Sequence, residues 1–230
     1  MKNIGFIGAY DKTDLLLNIA KILTTMNFKV LVVDSTINQK ARYVVPAIDP
    51  TVSYITSFED IDVAIGFNNL LEIQRYAGTT GEMPYDIALI DCDTIERVET
   101  FELEKANKNY FVTSFDIYSL KRGLEILSNV GVPMKLTKTI FTKEVLKEDD
   151  DYLNYLSLGY KVNWEEERIY FPIENGDLTV IAENQRLQKI KFKKLSVQYK
   201  ESMDFIVQQI LEQNNDSNIR KAIKTIEKGA

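Results

Sequence analysis

The sequence predicts a doubly wound α/β sheet, mostly parallel and flanked by helices. Three observations predict it. Lys29 to Asp34 (Lys-Val-Leu-Val-Val-Asp) and Tyr85 to Asp91 (Tyr-Asp-Ile-Ala-Leu-Ile-Asp) are nearly continuous apolar runs, the pattern of strands buried on both faces of a parallel sheet. Segments of helical period lie between the strand-like runs, as βαβ units require. Asp34, Asp91 and the loop from Gly8 to Thr13 all follow or end such runs, and in this architecture ligands bind at the carboxyl ends of the strands.

The elements follow in order. Asn3 to Ile7 reads as a short strand, and Asp14 to Met26 as a helix with Leu15, Ile19, Ile22 and Leu23 on one stripe. After the strand ending at Asp34, residues 40–57 are irregular, interrupted by Pro46 and Pro50. Phe58 to Tyr76 holds a strand around Val63 and then a helix, and Gly78 to Pro84 is a loop. Helical patterns at Ile95 to Ala106 and Tyr118 to Val130 flank a strand at Asn109 to Thr113. Leu136 to Phe141 is a further strand, and Lys147 to Asp151 reads as a solvated acidic loop. Arg168 to Pro172 forms a last strand and Met203 to Glu212 a closing helix. The expected organisation is one α/β domain over residues 1–213, then a polar hinge and a short basic amphipathic tail over 214–230.

Composition narrows the chemistry. A chain of 230 residues with 45% hydrophobic content can bury a full core. The net charge of −6 argues against a protein that is basic overall and coats nucleic acid. The sequence has no histidine, which excludes imidazole catalysis and histidine metal ligation. Its one cysteine, Cys92, lies in an apolar run and reads as a buried thiol. Cysteine pairs for disulfides or zinc are absent, which fits a reducing cytoplasm. The N-terminus opens on a strand pattern with no signal peptide, and no apolar run approaches the ~20 residues of a membrane span. The expectation is a cytoplasmic protein without a metal cluster.

The segment Gly8 to Ala20 has the outline of a phosphate-binding loop that has lost its glycines. A working loop of the form G-x-x-x-x-G-K-[ST] needs glycines so that backbone N–H groups can turn inward around phosphate oxygens. Lys12 and Thr13 keep the charge and the Mg²⁺-binding hydroxyl, but Asp11 stands where the glycine before the lysine belongs. Candidate nucleotide-site residues are therefore Gly8, Asp11, Lys12, Thr13, Asp34 and Asp91. Thr13 and Asp91 would hold Mg²⁺ only if a nucleotide binds, and no residue is assigned a catalytic role. The plainer alternatives stay open: Lys12 as a surface lysine, Thr13 as a helix N-cap, Asp11 and Asp14 as acids at a helix N-terminus, and Asp93 as loop surface.

The ordered set resembles the ParA/MinD family, the deviant Walker, SIMIBI-class P-loop NTPases. Lys12, Thr13, Asn18, Ile19 and Ala20 match the family's Lys-Thr and Asn-(Leu/Ile)-Ala spacing, Asp34 and Asp91 match its strand-ending acids, and Phe171-Pro172-Ile173 is similar to its segment near the nucleotide base. The resemblance implies that fold, with ATP or ADP and Mg²⁺ as cofactors. It also implies an ATP-dependent homodimer. Three departures count against turnover. The family's deviant lysine is replaced by Ile7 or a neighbour, the second strand-end Asp by Thr36, and the glycine before the lysine by Asp11. Phosphoryl transfer is mostly positioning and charge stabilisation, so the chain is expected to be an atypical, TadZ-like member with weak or no ATPase activity and, at the limit, no cofactor.

The leading expectation is thus a localisation or assembly factor in pilus, secretion or conjugation machinery. The alternative is a functional dimerising ATPase in DNA partition or division positioning. Arg186, Lys189, Lys191, Lys193 and Lys194 form a basic stretch that offers a weak contact to DNA or a membrane surface, or simply a solvated face. At the C-terminus, Ile219, Ala222, Ile223 and Ile226 form one stripe beside Arg220, Lys221, Lys224 and Lys228. That stripe is either core or a membrane-visiting tail, which would place the protein peripherally at the inner membrane face.

Overall fold

The computed structural model describes residues 1–47, 52–144, 147–173, 175–212 and 216–229, with side chains omitted at 147–150, 175 and 216. In chain order the elements are β1 (Lys2–Ile7), α1 (Thr13–Thr25), β2 (Val30–Asp34), α2 (Ala41–Val44), β3 (Tyr54–Phe58), β4 (Ile61–Ile65) and α3 (Leu70–Tyr76). There follow β5 (Ile87–Cys92), α4 (Ile95–Thr100), β6 (Lys108–Ser114), α5 (Ile117–Ser128), β7 (Met134–Thr142) and α6 (Lys147–Leu156). The last are β8 (Val162–Pro172), α7 (Asn175–Leu187), α8 (Val197–Leu211) and α9 (Asp216–Glu227).

The strands form an eight-stranded sheet in the order β3-β4-β2-β5-β1-β6-β7-β8. Every neighbouring pair is parallel except β3 and β4. Side chains alternate between faces along a strand, so each buried strand feeds two cores. Phe6, Val32 and Leu89 face a layer that includes α1, α8 and α9, while Ile7, Val33 and Ile90 face one that includes α4 and α5. This is the doubly wound sheet the apolar runs predict. Its register sets Asp34 directly beside Asp91, and Ile7 beside Cys92. Three strand ends therefore meet at the carboxyl edge.

Several elements differ from the sequence expectation. β3 takes up the end of the segment expected to be irregular (residues 40–57) and Phe58 beyond it, and it returns into β4 through Glu59 and Asp60, whose φ values are 53° and 67°. A two-residue hairpin turn requires such left-handed positions, usually signalled by Asn or Gly, and here neither is present. The acidic stretch expected to be a loop is the start of α6. α7 was not foreseen, β8 begins earlier than Arg168, and α8 begins at Val197 rather than Met203. The helical pattern at Ile95 to Ala106 divides: α4 stops at Thr100, and Glu102 takes a left-handed conformation.

The C-terminal stripe is covered. Ile219, Ala222, Ile223 and Ile226 are buried in the same core as α1 and α8. Two ion pairs fasten α9 to α8, Lys200 Nζ to Glu227 Oε1 at 2.5 Å and Arg220 Nε to Asp204 Oδ2 at 3.5 Å. Of the expected hinge, residues 213–215 lie outside the described residues. No helix among the described residues is long and apolar enough to cross a membrane.

Candidate functional site

The loop between β1 and α1 is shaped first by Gly8. Its φ is +141°, and a Cβ there would stand 2.1 Å from the carbonyl oxygen of Val112 on β6, so only glycine fits. The chain then turns through Ala9, Tyr10 and Asp11 to the N-cap, which is Lys12 rather than Thr13. Lys12 offers no side-chain cap. Instead Asp11 Oδ1 accepts a hydrogen bond from the Thr13 amide at 3.1 Å, and its other oxygen is ion-paired with Lys40. An acid thus satisfies one of the amides that a phosphate would meet in a glycine-rich loop.

Lys12 is not a surface residue. It is 2% exposed, with its ammonium folded back beneath the loop. Lys12 Nζ donates to the carbonyl oxygens of Gly8 at 2.6 Å and Tyr10 at 3.1 Å. It also lies 2.9 Å from Asp91 Oδ1 as a buried ion pair. The loop therefore presents carbonyls to a cation, the reverse polarity of a loop that presents amides to phosphate. Burial pushes the Asp91 carboxyl up to about 7, against the pull of the Lys12 ammonium, and the neighbouring Asp34 and Asp93 charges add to the rise.

The remaining strand-end groups are tied to backbone. Asp34 accepts from the Thr36 amide at 3.0 Å, the Thr36 hydroxyl at 2.6 Å and the Ala41 amide at 2.9 Å, which fixes the turn from β2 into α2. Asp93 is not loop surface alone. Its carboxylate accepts from the Ile37 amide at 3.0 and 3.1 Å, and burial raises its pKa. Ser35 Oγ donates to the Asp91 carbonyl at 2.6 Å and sits 3.3 Å from Cys92 Sγ. Burial pushes the Cys92 thiol up to about 12, which leaves it inert.

Of the residues singled out from the sequence, Asp11, Lys12, Thr13 and Asp91 line a cavity of ≈ 90 Å³, while Gly8 meets it only through its carbonyl bond to Lys12 and Asp34 lies beside Asp91 in the sheet register. A nucleotide needs several times that space. Thr13 and Asp91 both line it, so the donor types suit a Mg²⁺ ion, but the Lys12 ammonium already stands against the Asp91 oxygen. No cluster of metal-ligating residues occurs among the described residues. Sequence reasoning missed Tyr10 and Lys40, which wall both this cavity and a larger one of ≈ 240 Å³ beside it. The larger cavity lies between the loop, the end of β8 and α7. Pro172 and Ile173 line it, with Tyr10 stacked on Phe141 at 4.6 Å between centroids and Phe141 stacked on Phe171 at 4.8 Å.

Comparison with solved structures identifies the architecture. A ParA family ATPase from Chlorobium tepidum superposes over 96% of this chain and 95% of its own, with a TM-score of 0.53 at 14% identity. MinD of Aquifex aeolicus covers 93% of this chain with a TM-score of 0.56 at 12% identity, both alone (98% of its own length) and in the MinC:MinD complex (97%). A putative plasmid partition protein from Borrelia burgdorferi, bound to AMPPNP, covers 92% of this chain and 97% of its own, with a TM-score of 0.53 at 13% identity. The chain has the ParA/MinD fold. No family model matches its sequence, and no curated protein does. Within the ParA/MinD fold, the loop with Lys12 stands at the carboxyl edge of the central strand β1, where ligands of such sheets bind.

Proposed function

We propose that this ParA/MinD-like chain works by docking and positioning rather than by ATP turnover. One observation carries the reading: the Lys12 ammonium is buried among the Gly8 and Tyr10 carbonyls and the Asp91 carboxylate. Binding a triphosphate would require that buried pair to break and the loop to invert its polarity. Breaking a buried pair costs several kcal/mol. Thr36 and Ile7, standing where the family places an acid and a lysine, remove further parts of the hydrolytic apparatus. The family setting that fits is a TadZ-like assembly factor of a pilus, secretion or conjugation machine. It would dimerise or meet its partner through the face at the carboxyl ends of the strands. Arg186 in the last turn of α7, and Lys189, Lys191, Lys193 and Lys194 on the strap that follows it, are exposed, and Ile190, Phe192 and Leu195 anchor the strap in the core. That strap would add a weak contact to DNA or to the inner face of a membrane.

A second reading rests on the Borrelia burgdorferi neighbour, which holds AMPPNP. In it Lys12 swings out to phosphate, Thr13 and Asp91 hold Mg²⁺, and the chain is an ATP-dependent dimerising switch. Calorimetric titration with Mg-ATP and Mg-ADP separates the two. The docking reading expects no saturable heat and an association state unchanged by nucleotide. Micromolar binding that Lys12→Ala abolishes would overturn it in favour of the switch.

A further inference from the structure

The sheet ends in two edge strands, β3 and β8, and only one of them is guarded. An edge offers unpaired backbone N–H and C=O groups to any passing strand, and proteins blunt it with charge, proline, bulges or a covering element. β8 has all of these. It carries Glu165, Glu166, Glu167 and Arg168 in mid-strand and ends on Pro172. Its pairing with β7 shifts register between Leu136 and Lys138. α8 also leans on it, with Ser202 Oγ donating to the Tyr170 carbonyl at 2.6 Å.

β3 has no such guard in its own sequence or pairing. It reads Tyr-Ile-Thr-Ser-Phe, without charge or proline, and runs in unbroken register with β4 from Tyr54 opposite Ile65 to Phe58 opposite Ile61. A two-residue turn makes its closing residues, here Phe58 and Ile61, a hydrogen-bonded pair, and such pairs alternate along an antiparallel ladder. Tyr54, Thr56 and Phe58 therefore spend their backbone groups on β4. The backbone groups of Ile55 and Ser57 point outward, and no loop or side chain among the described residues bonds to them. The two ends of β3 also differ in charge. Arg42 reaches its start, donating to the Val52 carbonyl at 2.8 Å, and Glu59 and Asp60 form the turn at its finish. Val52, at the Arg42 end, is an exposed apolar side chain.

We propose that β3 pairs antiparallel with β3 of a second copy of this chain, joining two sheets edge to edge across a two-fold axis at Thr56. That register sets Ile55 of each copy opposite Ser57 of the other, so the outward N–H groups meet outward carbonyls. Thr56 then faces Thr56 in the closer, non-hydrogen-bonded kind of pair, a favourable cross-strand match. The antiparallel direction brings the Arg42 end of one copy to the Glu59–Asp60 end of the other. An uncharged strand with opposite charges at its two ends is complementary to itself, which selects a second copy over an unrelated peptide. A five-residue strand makes a small interface, below ~1,200 Å², so the association is expected to be reversible and concentration-dependent. The proposal is independent of the docking reading, whose face lies at the carboxyl ends of the strands.

The test is sedimentation velocity and amide hydrogen exchange on the full chain over a series of protein concentrations. The mass should rise toward that of a dimer. Exchange at Ile55 and Ser57 should slow with it, while Tyr54, Thr56 and Phe58 stay unchanged. Thr56→Lys and Thr56→Glu each place like charges opposite one another at the axis, and each should be monomeric alone. Mixed in equal amounts, they should associate again. Ser57→Pro removes an outward N–H and none that bonds β4, and it should also be monomeric, with thermal melts confirming that every variant is folded. A wild-type chain that stays monomeric, a dimer that survives these substitutions, or a charge pair that fails to associate overturns the edge pairing. Protection that rises with concentration without selecting Ile55 and Ser57 overturns it too.

Discussion

Two cavities share the wall formed by Tyr10, Asp11 and Lys40, and they have opposite characters. On one side the loop has folded onto its own lysine, and ≈ 90 Å³ of polar space remains around Lys12, Thr13 and Asp91. On the other, ≈ 240 Å³ lies open between aromatic and aliphatic walls, with Asp14 at its edge. The backbone that makes both is the same short turn. What separates them is where the cation sits. An ammonium on a long flexible arm can cancel the charge of a buried acid only where its stem reaches, and the Lys12 stem reaches Asp91 but not Asp14. The loop is thus filled from within by its own lysine while the neighbouring recess stays open.

The largest expected effect breaks the closed side. Lys12→Met leaves Asp91 buried without its counter-ion and should lower unfolding free energy by about 3–5 kcal/mol. Lys12→Met with Asp91→Asn removes both charges and should recover most of that loss in a denaturant titration. A double variant as unstable as the single one would mean that the carbonyl contacts of Lys12, and not the pair, hold the loop.

The next effect sharpens the open side. Burial, aided by Asp11, pushes the Asp14 carboxyl from its ordinary 3.8 up to about 6. The folded state therefore binds this proton more tightly than the unfolded state does. The stability it contributes is full below about pH 4 and is lost as pH rises through about 6. The loss is on the order of 2–3 kcal/mol. Asp14→Asn should remove that part of the pH dependence and raise the melting temperature at pH 8. An unchanged slope between pH 4 and 7 would place the proton elsewhere.

A smaller effect tests the rim. Thr36→Ala deletes the hydroxyl that donates to Asp34 at 2.6 Å and accepts from the Gln39 amide at 3.1 Å. It should cost about 1 kcal/mol in chemical denaturation. The smallest concerns the basic strap. Lys189→Ser and Lys191→Ser remove exposed cations and should change stability by no more than about 0.5 kcal/mol. Any retention on anionic vesicles or DNA should fall with them, and it should also fall as salt is raised.

The sheet was legible because its central strands are written as unbroken apolar runs ending on acids. Val30 to Asp34 and Ile87 to Cys92 could not be solvated on either face, and their register then had to bring Asp34 to Asp91. The edges were less readable. The β3–β4 hairpin turns on Glu59 and Asp60 without glycine or asparagine, and β3 has only its end residues buried, so neither a turn signal nor an apolar run announces it. α7 carries charged and polar residues throughout and leans on few apolar positions. At the site, the apolar run ending at Ile7 and the helical period that follows Asp14 placed the loop between β1 and α1. The direction in which the Lys12 arm folds was not written there. It depends on Asp91 arriving from β5 and on Lys40 arriving from the start of α2 to hold Asp11 aside. Contacts made by side chains distant in sequence leave no local pattern to read.

The docking of α9 has a mechanical consequence. α1 begins at the loop and is gripped along its length by α8 and α9. The last helix of the chain therefore helps to set the seat of the first one, and through it the pitch of the turn that carries Lys12. Anything that competes for the stripe of Ile219, Ile223 and Ile226 draws on the same anchorage. A ligand at one end of α1 and a competitor for α9 would then be thermodynamically linked, each felt by the other without sharing a single contact.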